Sequence, residues 1–338
     1  VPVPLSSAAI IGTGSCLPER VLTNHDLEKM VDTSDEWIRT RTGIRERRLA
    51  DPGTAASDLA VPAATRALAA AGIPATELDL IIVATVTPDT LFPATACLVQ
   101  ERLGARGAAA FDLSAGCSGF VYALGVAGQF LATGVYRTAL VIGVEVLSKI
   151  INWQDRNTCV LFGDGAGAAV LQSVPAGRGI LGLHLGADGS GGSLLTLPAG
   201  GSRLPASSTT VQEQLHTIHM SGAEVFKFAV RVMGEASLKA LEKAGLKKED
   251  VDFLIPHQAN IRIIEAATKR LGLPPKKVYV NLDRYGNMSS ASIPVALDEA
   301  YRAGLLLRDH KVVMVAFGAG LTWGAAVVNW ELDPPKGA

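Results

Sequence analysis

The sequence is short of the residues that would commit it to several common classes. Aromatics make up only 5% of its 338 residues, and it has only four cysteines and six histidines. Cys16, Cys97, Cys117 and Cys159 stand far apart with no CxxC pair. That spacing argues against a zinc site or a disulfide framework and suits a reducing compartment. An excess of one charge is also missing: 31 basic residues face 32 acidic ones, a net charge of −1. The basic footprint of a nucleic-acid binder is therefore absent. The opening "VPVPLSSAAIIGTG" lacks the basic start and long apolar core of a signal peptide, so a cytoplasmic protein is expected. Two uncharged runs, 113–136 and 312–330, are long enough to cross a bilayer, but glycines punctuate both. The first reads as a buried helix and the second as two short strands around "FGAGLTWG", so no membrane association is expected.

What the sequence has in quantity is apolar residues, 48%, and glycine, 35 residues. Its length suggests about two domains, and an internal repeat agrees. "ALAAAGIPATELDLIIVA" (67–84) lines up with "ALEKAGLKKEDVDFLIPH" (240–257), 173 residues further on. Each copy reads as a helix, a glycine stop, a turn and a strand. A helix ending in "RLG" follows both, and "GAGAAVL" and "TWGAAVV" also correspond. The pattern predicts two similar α/β halves, residues 1–174 and 175–338. Apolar strands at 80–84, 139–144 and 312–316 carry no alternation, as in strands covered on both faces. The Gly-, Ser- and Pro-rich stretch from about 175 to 210 reads as inserted loops.

The same alignment places candidate chemistry. Cys117, in "DLSAGCSGF", follows a strand and precedes an apolar helix over 119–132. Unpaired N–H groups at a helix amino end favour a thiolate and can hold an oxyanion. A buried packing cysteine fits the same stretch. Asn287, in "DRYGNMSSAS", takes the corresponding place in the second half, and His257 of "IPHQAN" lies just past a strand. A neutral imidazole and an amide can both donate to a developing enolate. The order Cys, His, Asn also suits a thiol protease, so the triad alone leaves the reaction open. "GTGSCL" (12–17) lacks the third glycine of a dinucleotide fingerprint. Glu213, His216 and His219 have a metal-like spacing, but on a strand the two histidines would face opposite ways, and no metal is expected. Arg262, Lys269 and Arg270, with Lys227 nearby, form a basic stripe that reads equally well as a solvated helix face.

Beyond these single features, "DTSDEWIRTRTGIRERR", "GCSGF", "FGDGAGAAVL", "IPHQANIRII", "DRYGNMSSASIP" and "FGAGLTWG" resemble the β-ketoacyl-acyl-carrier-protein synthase III family, from about Ile10 to Trp330. The resemblance implies an α/β thiolase-like fold, two pseudo-duplicated halves in a five-layered αβαβα sandwich, as a homodimer. It implies that an acyl group moves from coenzyme A to Cys117. Malonyl-acyl-carrier protein then decarboxylates and attacks the acyl-cysteine, initiating fatty-acid synthesis from acetyl-CoA or another short primer. Acyl-CoA is then a substrate, and no cofactor is implied. His257 and Asn287 would hold the enolate oxygen, and the backbone N–H groups of Cys117 and Ala319 the acyl oxyanion. Trp37, Arg41, Arg156 and Asn260 resemble coenzyme A contacts, and Phe92 and Phe226 acyl-pocket residues. Gln258, Ala259, Asn260, Ile261, Arg262, Lys227, Lys269 and Arg270 resemble a docking surface for the carrier protein. A starter-unit synthase or acyltransferase of a polyketide or other secondary pathway is the alternative that shares this triad. A non-catalytic partner subunit would not need it intact.

Overall fold

The computed structural model of the chain describes residues 6–335; the first five residues of the opening stretch and the last three lie outside the described residues. Apolar runs without alternation become central strands. One sheet contains β1 (Ser6–Cys16), β2 (Leu80–Ala84), β3 (Ala109–Leu113), β4 (Thr138–Glu145) and β5 (Gly165–Pro175), in the order β1-β5-β4-β2-β3. The other contains β6 (Ile180–Ala187), β7 (Phe253–Pro256), β8 (Lys311–Gly318) and β9 (Thr322–Asn329), in the order β7-β8-β9-β6. Each sheet runs a parallel pair, β2 with β4 or β7 with β8, into two antiparallel neighbours. In the first sheet β3 adds a further parallel strand, whereas a single bridge between Leu254 and Val278 takes that place in the second.

Six helices complete the repeat: α1 (Ala56–Ala71), α2 (Thr95–Leu103), α3 (Gly119–Ala132), α4 (Gly222–Lys243), α5 (Ile261–Leu271) and α6 (Ser292–Arg302). α1 and α2 cover the outer face of the first sheet. α4 lies on the outer face of the second with α5 packed against it, and α3 and α6 lie between the sheets. The layers are therefore αβαβα. α3 is apolar on nearly every side because both sheets bury it. Its Leu124 and Leu131 share one core with Ile82, Val141, Ile293 and Met314. Both "RLG" copies end helices, α2 and α5, with Gly104 and Gly272 in the left-handed conformation that stops a helix without a Cβ clash.

Two expectations need correction. The stretch expected to be inserted loops contains β6, which pairs with β9 as β1 pairs with β5. Its glycines mark close approach. A Cβ on Gly182 would lie 2.3 Å from the carbonyl oxygen of Ala240 on α4, and one on Gly186 would lie 2.5 Å from the Trp323 ring. Of Glu213, His216 and His219, only His219 lies on a strand, a two-residue one; His216 sits in a turn, 2.9 Å from the Thr210 hydroxyl.

Candidate active site

Four turns converge: those that follow β3, β7 and β8, and the one that leads into α6. After β3, Gly116–Ser118 forms a single 3-10 turn before α3. Gly116 has φ +54°, and a Cβ there would lie 2.6 Å from Ala319 N. A Cβ on Gly318 would lie 2.4 Å from Cys117 N. Both glycines are thus required for the turn after β8 to close on the nucleophile turn, backbone against backbone. Cys117 is half-buried overall because it opens on two cavities, but its sulfur is set back from bulk water. Burial pushes its thiol up to about 12, and the Ser289 side chain and the Cys117 N–H oppose this only in part. Desolvation therefore outweighs the helix amino end, which was expected to favour the thiolate.

His257 follows β7 and donates its backbone N–H to Val315 at 2.8 Å. Its ring is 1% exposed and meets the edge of Phe317 at 5.6 Å. Nδ1 lies 2.6 Å from Ser292 Oγ, which accepts the Gln258 N–H at 3.4 Å. Nδ1 is the only acceptor found for the Ser292 hydroxyl among the described residues, so that proton points at Nδ1 and Nε2 carries its own. Nε2 is buried without a protein partner. Burial pushes the imidazole down to about 3, so it is a neutral donor.

Asn287 is fixed from both sides of the molecule. Its backbone N–H donates to Leu161 at 2.8 Å, and its carbonyl accepts from Gly163 at 3.0 Å. Its Oδ1 accepts the Ser289 N–H at 2.8 Å, which leaves the amide NH₂ to face the cavity. Ser289 holds a left-handed φ of +45° in this buried turn, a strained conformation that the Asn287 side chain braces.

A cavity of about 300 Å³ opens from Cys117 and Ser289 among Val86, Leu147, Ile150 and Leu197. A smaller one of about 100 Å³ holds Cys117, His257, Asn287, Asn260, Phe226 and Phe317. Cys117 thus stands between an apolar pocket and a pair of hydrogen-bond donors. Phe226 lines the smaller cavity rather than the apolar one. Phe92 lines neither and is 85% exposed.

Trp37 and Arg156 come together, with the guanidinium 4.7 Å from the indole centroid, and Arg41 approaches the same ring at 5.6 Å. A base between two stacking partners needs about 7 Å, twice an ordinary carbon contact, so the pair must part to admit one. Asn260 caps α5 through Arg262 N at 2.9 Å and holds the Arg41 carbonyl at 3.0 Å. Gln258 and Ala259 do not form surface: Gln258 is fully buried, with its amide bonded to the carbonyls of Pro256 and Tyr279, and Ala259 is 9% exposed. Ile261 is half-buried. Lys227, Arg262, Lys269 and Arg270 are exposed, with Arg262 5.1 Å over the Phe226 ring and Arg270 paired with Glu235 at 3.5 Å. The basic surface therefore borders the mouth of the smaller cavity. Nothing in the sequence singles out Ser292 and Ser289, which orient His257 and Asn287, or the buried Glu145 behind them. The serine run "MSSAS" beside Asn287 was the available signal.

The description 3-oxoacyl-[acyl-carrier-protein] synthase III matches residues 111–189, and its C-terminal counterpart matches residues 241–330. A curated β-ketoacyl-[acyl-carrier-protein] synthase III from Caldanaerobacter subterraneus subsp. tengcongensis is 65% identical over 325 residues, which cover 96% of this chain and 98% of that protein. The chain belongs to the β-ketoacyl-acyl-carrier-protein synthase III family. The crystal structure of the synthase III from Aquifex aeolicus is similar at 50% identity with a TM-score of 0.88, covering 96% of this chain and all of that one. The priming β-ketosynthase of the R1128 polyketide pathway is less similar in sequence, at 37% identity and TM-score 0.89, over 99% of each chain. The fold expected of synthase III, the thiolase-type sandwich, is the one described above.

The buried imidazole makes a stability prediction. The unfolded histidine takes up a proton below about pH 6.5 and the folded one only below about 3. His257 therefore favours folding above pH 6.5, and stability falls as pH drops between these values, by about 1.4 kcal/mol per pH unit for this one group. Urea unfolding of wild type and His257→Ala at pH 7 and pH 5 should show a smaller acid loss in the variant.

Proposed function

We propose that the chain catalyses the decarboxylative condensation of a short acyl-CoA primer with malonyl-acyl-carrier protein, the first condensation of fatty-acid synthesis. The observation that carries this reading is the pair of oriented donors, His257 Nε2–H and the Asn287 amide, facing the cavity that holds Cys117. The Cys117 sulfur attacks the acyl-CoA carbonyl, coenzyme A leaves as its thiol, and the cysteine proton is the one it gains. Cys117 N and Ala319 N lie where the acyl oxyanion forms. Malonyl-carrier protein then loses carbon dioxide. The enolate oxygen is held by His257 and Asn287 and the enolate carbon attacks the acyl-cysteine. The departing Cys117 sulfur regains a proton from solvent, leaving β-ketoacyl-carrier protein. No step calls for a cofactor. Neutral donors suit this chemistry because they hold a new anion without having been ionised beforehand.

The 65% identity to a synthase III, against 37% to a polyketide priming enzyme, favours the fatty-acid reading over the starter-unit alternative. The two halves, 1–174 and 175–338, supply the nucleophile and the His/Asn pair respectively. Trp37, Arg41 and Arg156 would hold the coenzyme A nucleotide once the stacked pair parts, and Asn260 lies near the pantetheine path. Lys227, Arg262, Lys269 and Arg270 would receive the acidic carrier protein. Leu91 and Phe92, 83% and 85% exposed, support a homodimer in which Phe92 reaches the partner's acyl pocket. Four unpaired cysteines are consistent with action in the cytoplasm.

Partial reactions test the assignment. Cys117→Ser should carry no acyl label from acyl-CoA, whereas His257→Ala and Asn287→Ala should acylate normally but release carbon dioxide from malonyl-carrier protein at least about a hundredfold more slowly. Label on the Cys117 variant, or normal release in either of the others, removes that residue from its role. Arg262→Glu should raise KM for malonyl-carrier protein severalfold and leave acyl-CoA saturation unchanged, as kinetics with each substrate varied in turn will show.

A further inference from the structure

Glu145 ends β4 behind the nucleophile turn. It is fully buried, and no cation pairs with it among the described residues. Its Oε2 lies 2.7 Å from Thr87 Oγ1, 3.1 Å from Val86 N and 3.3 Å from Thr85 Oγ1. Thr87 Oγ1 accepts the Val146 N–H at 2.8 Å, and the nearest acceptor for its own proton is Glu145 Oε2. The other oxygen, Oε1, lies 2.8 Å from Ser290 Oγ. Ser290 Oγ is also 2.8 Å from the carbonyl oxygen of Ala84. One hydroxyl proton cannot serve two acceptors, and a carbonyl oxygen has none to give. Both contacts are satisfied only when Ser290 donates to Ala84 and Glu145 supplies the proton between Oε1 and Ser290. Burial, which pushes this carboxyl above its ordinary range, acts in the same direction.

We propose that Glu145 is a neutral carboxylic acid in the working enzyme and a positioning residue that joins the acyl-pocket wall to the Asn287 turn. Its carbonyl oxygen gathers residues 85–87, of which Val86 lines the apolar cavity. Its hydroxyl holds Ser290. Ser289, next to Ser290, lines the apolar cavity with Cys117, and its N–H fixes the Asn287 amide. Among the described residues, Cys117 is the titratable group on which a charge at this carboxyl would bear. A neutral Glu145 places no negative charge beside a sulfur that must become a thiolate, or near an enolate that must form. The positioning role rests on the condensation reading; the protonation state does not.

Two readouts are independent of condensation. In the infrared difference between wild type and Glu145→Gln at pH 7, the protonated-carboxyl C=O stretch should disappear from the variant; loss of a carboxylate band instead overturns the proposal. Alkylation of Cys117 by iodoacetamide, followed on its own peptide by mass spectrometry at one pH, should proceed within about twofold of wild type in E145Q, whereas removal of an ionised glutamate would speed it about tenfold per pKa unit. The positioning role is read separately. Glu145→Ala should lower kcat for malonyl decarboxylation at least about tenfold, a loss of about 1.4 kcal/mol in the barrier, with KM little changed, and E145Q should restore it. A loss in E145Q equal to that in Glu145→Ala contradicts the role. If Glu145→Ala does not fold, the infrared and alkylation results on wild type and E145Q still decide the protonation state. A chain without condensing activity would leave both of those readouts intact.

Discussion

The architecture of the site depends on one steric constraint: no Cβ fits between the turn after β8 and the turn that carries Cys117. Gly318 lies where a side chain would sit 2.4 Å from Cys117 N, and Gly116 where one would sit 2.6 Å from Ala319 N. That approach brings the backbone of Cys117 and the backbone of Ala319, from different halves of the chain, against each other. The five layers make it possible, because α3 and α6 both lie between the sheets and start at the same end. The Asn287 turn is drawn in by the same packing, through its bonds to Leu161 and Gly163 of the first half.

Burial then sets the electrostatics. Desolvation holds Cys117 as a thiol and His257 as a neutral imidazole, and it pushes the Glu145 carboxyl above its ordinary range, in the direction its contact with Ser290 requires. The resting site therefore holds little net charge. Charge appears only as the thiolate, the oxyanion and the enolate form, and fixed donors in an apolar site are worth most at that moment. Ser292 and Ser289 complete this arrangement by using up the acceptor sides of His257 and Asn287, so that only their N–H groups face the cavity. Both serines act through another residue, in positions that a list of catalytic side chains omits.

The halves of the fold were legible in the sequence because the repeat preserves helix stops and apolar strands, as "RLG" and "LDLIIVA" against "VDFLIPH" illustrate. β6 was not legible, because glycines required for contact with α4 and Trp323 look like loop glycines when the partner is unknown. Cys117, His257 and Asn287 could be located from their places after strands and in the repeat, while their reaction came from family resemblance. The thiol's protonation could not be read, since helix position was visible and desolvation was not. Gln258 looked like surface because its neighbour Arg262 is; its carbonyl partners, Pro256 and Tyr279, appear only in three dimensions. The Glu145 network joins residues 84–87, 145 and 289–290, which no local window contains.

The most direct test of the central claim is the rate at which Gly318→Ala acquires an acyl group on Cys117 from acyl-CoA, followed by intact-protein mass. The close approach of the two turns predicts a fall of at least about a hundredfold, the scale of a lost oxyanion donor. Acylation at the wild-type rate would contradict it.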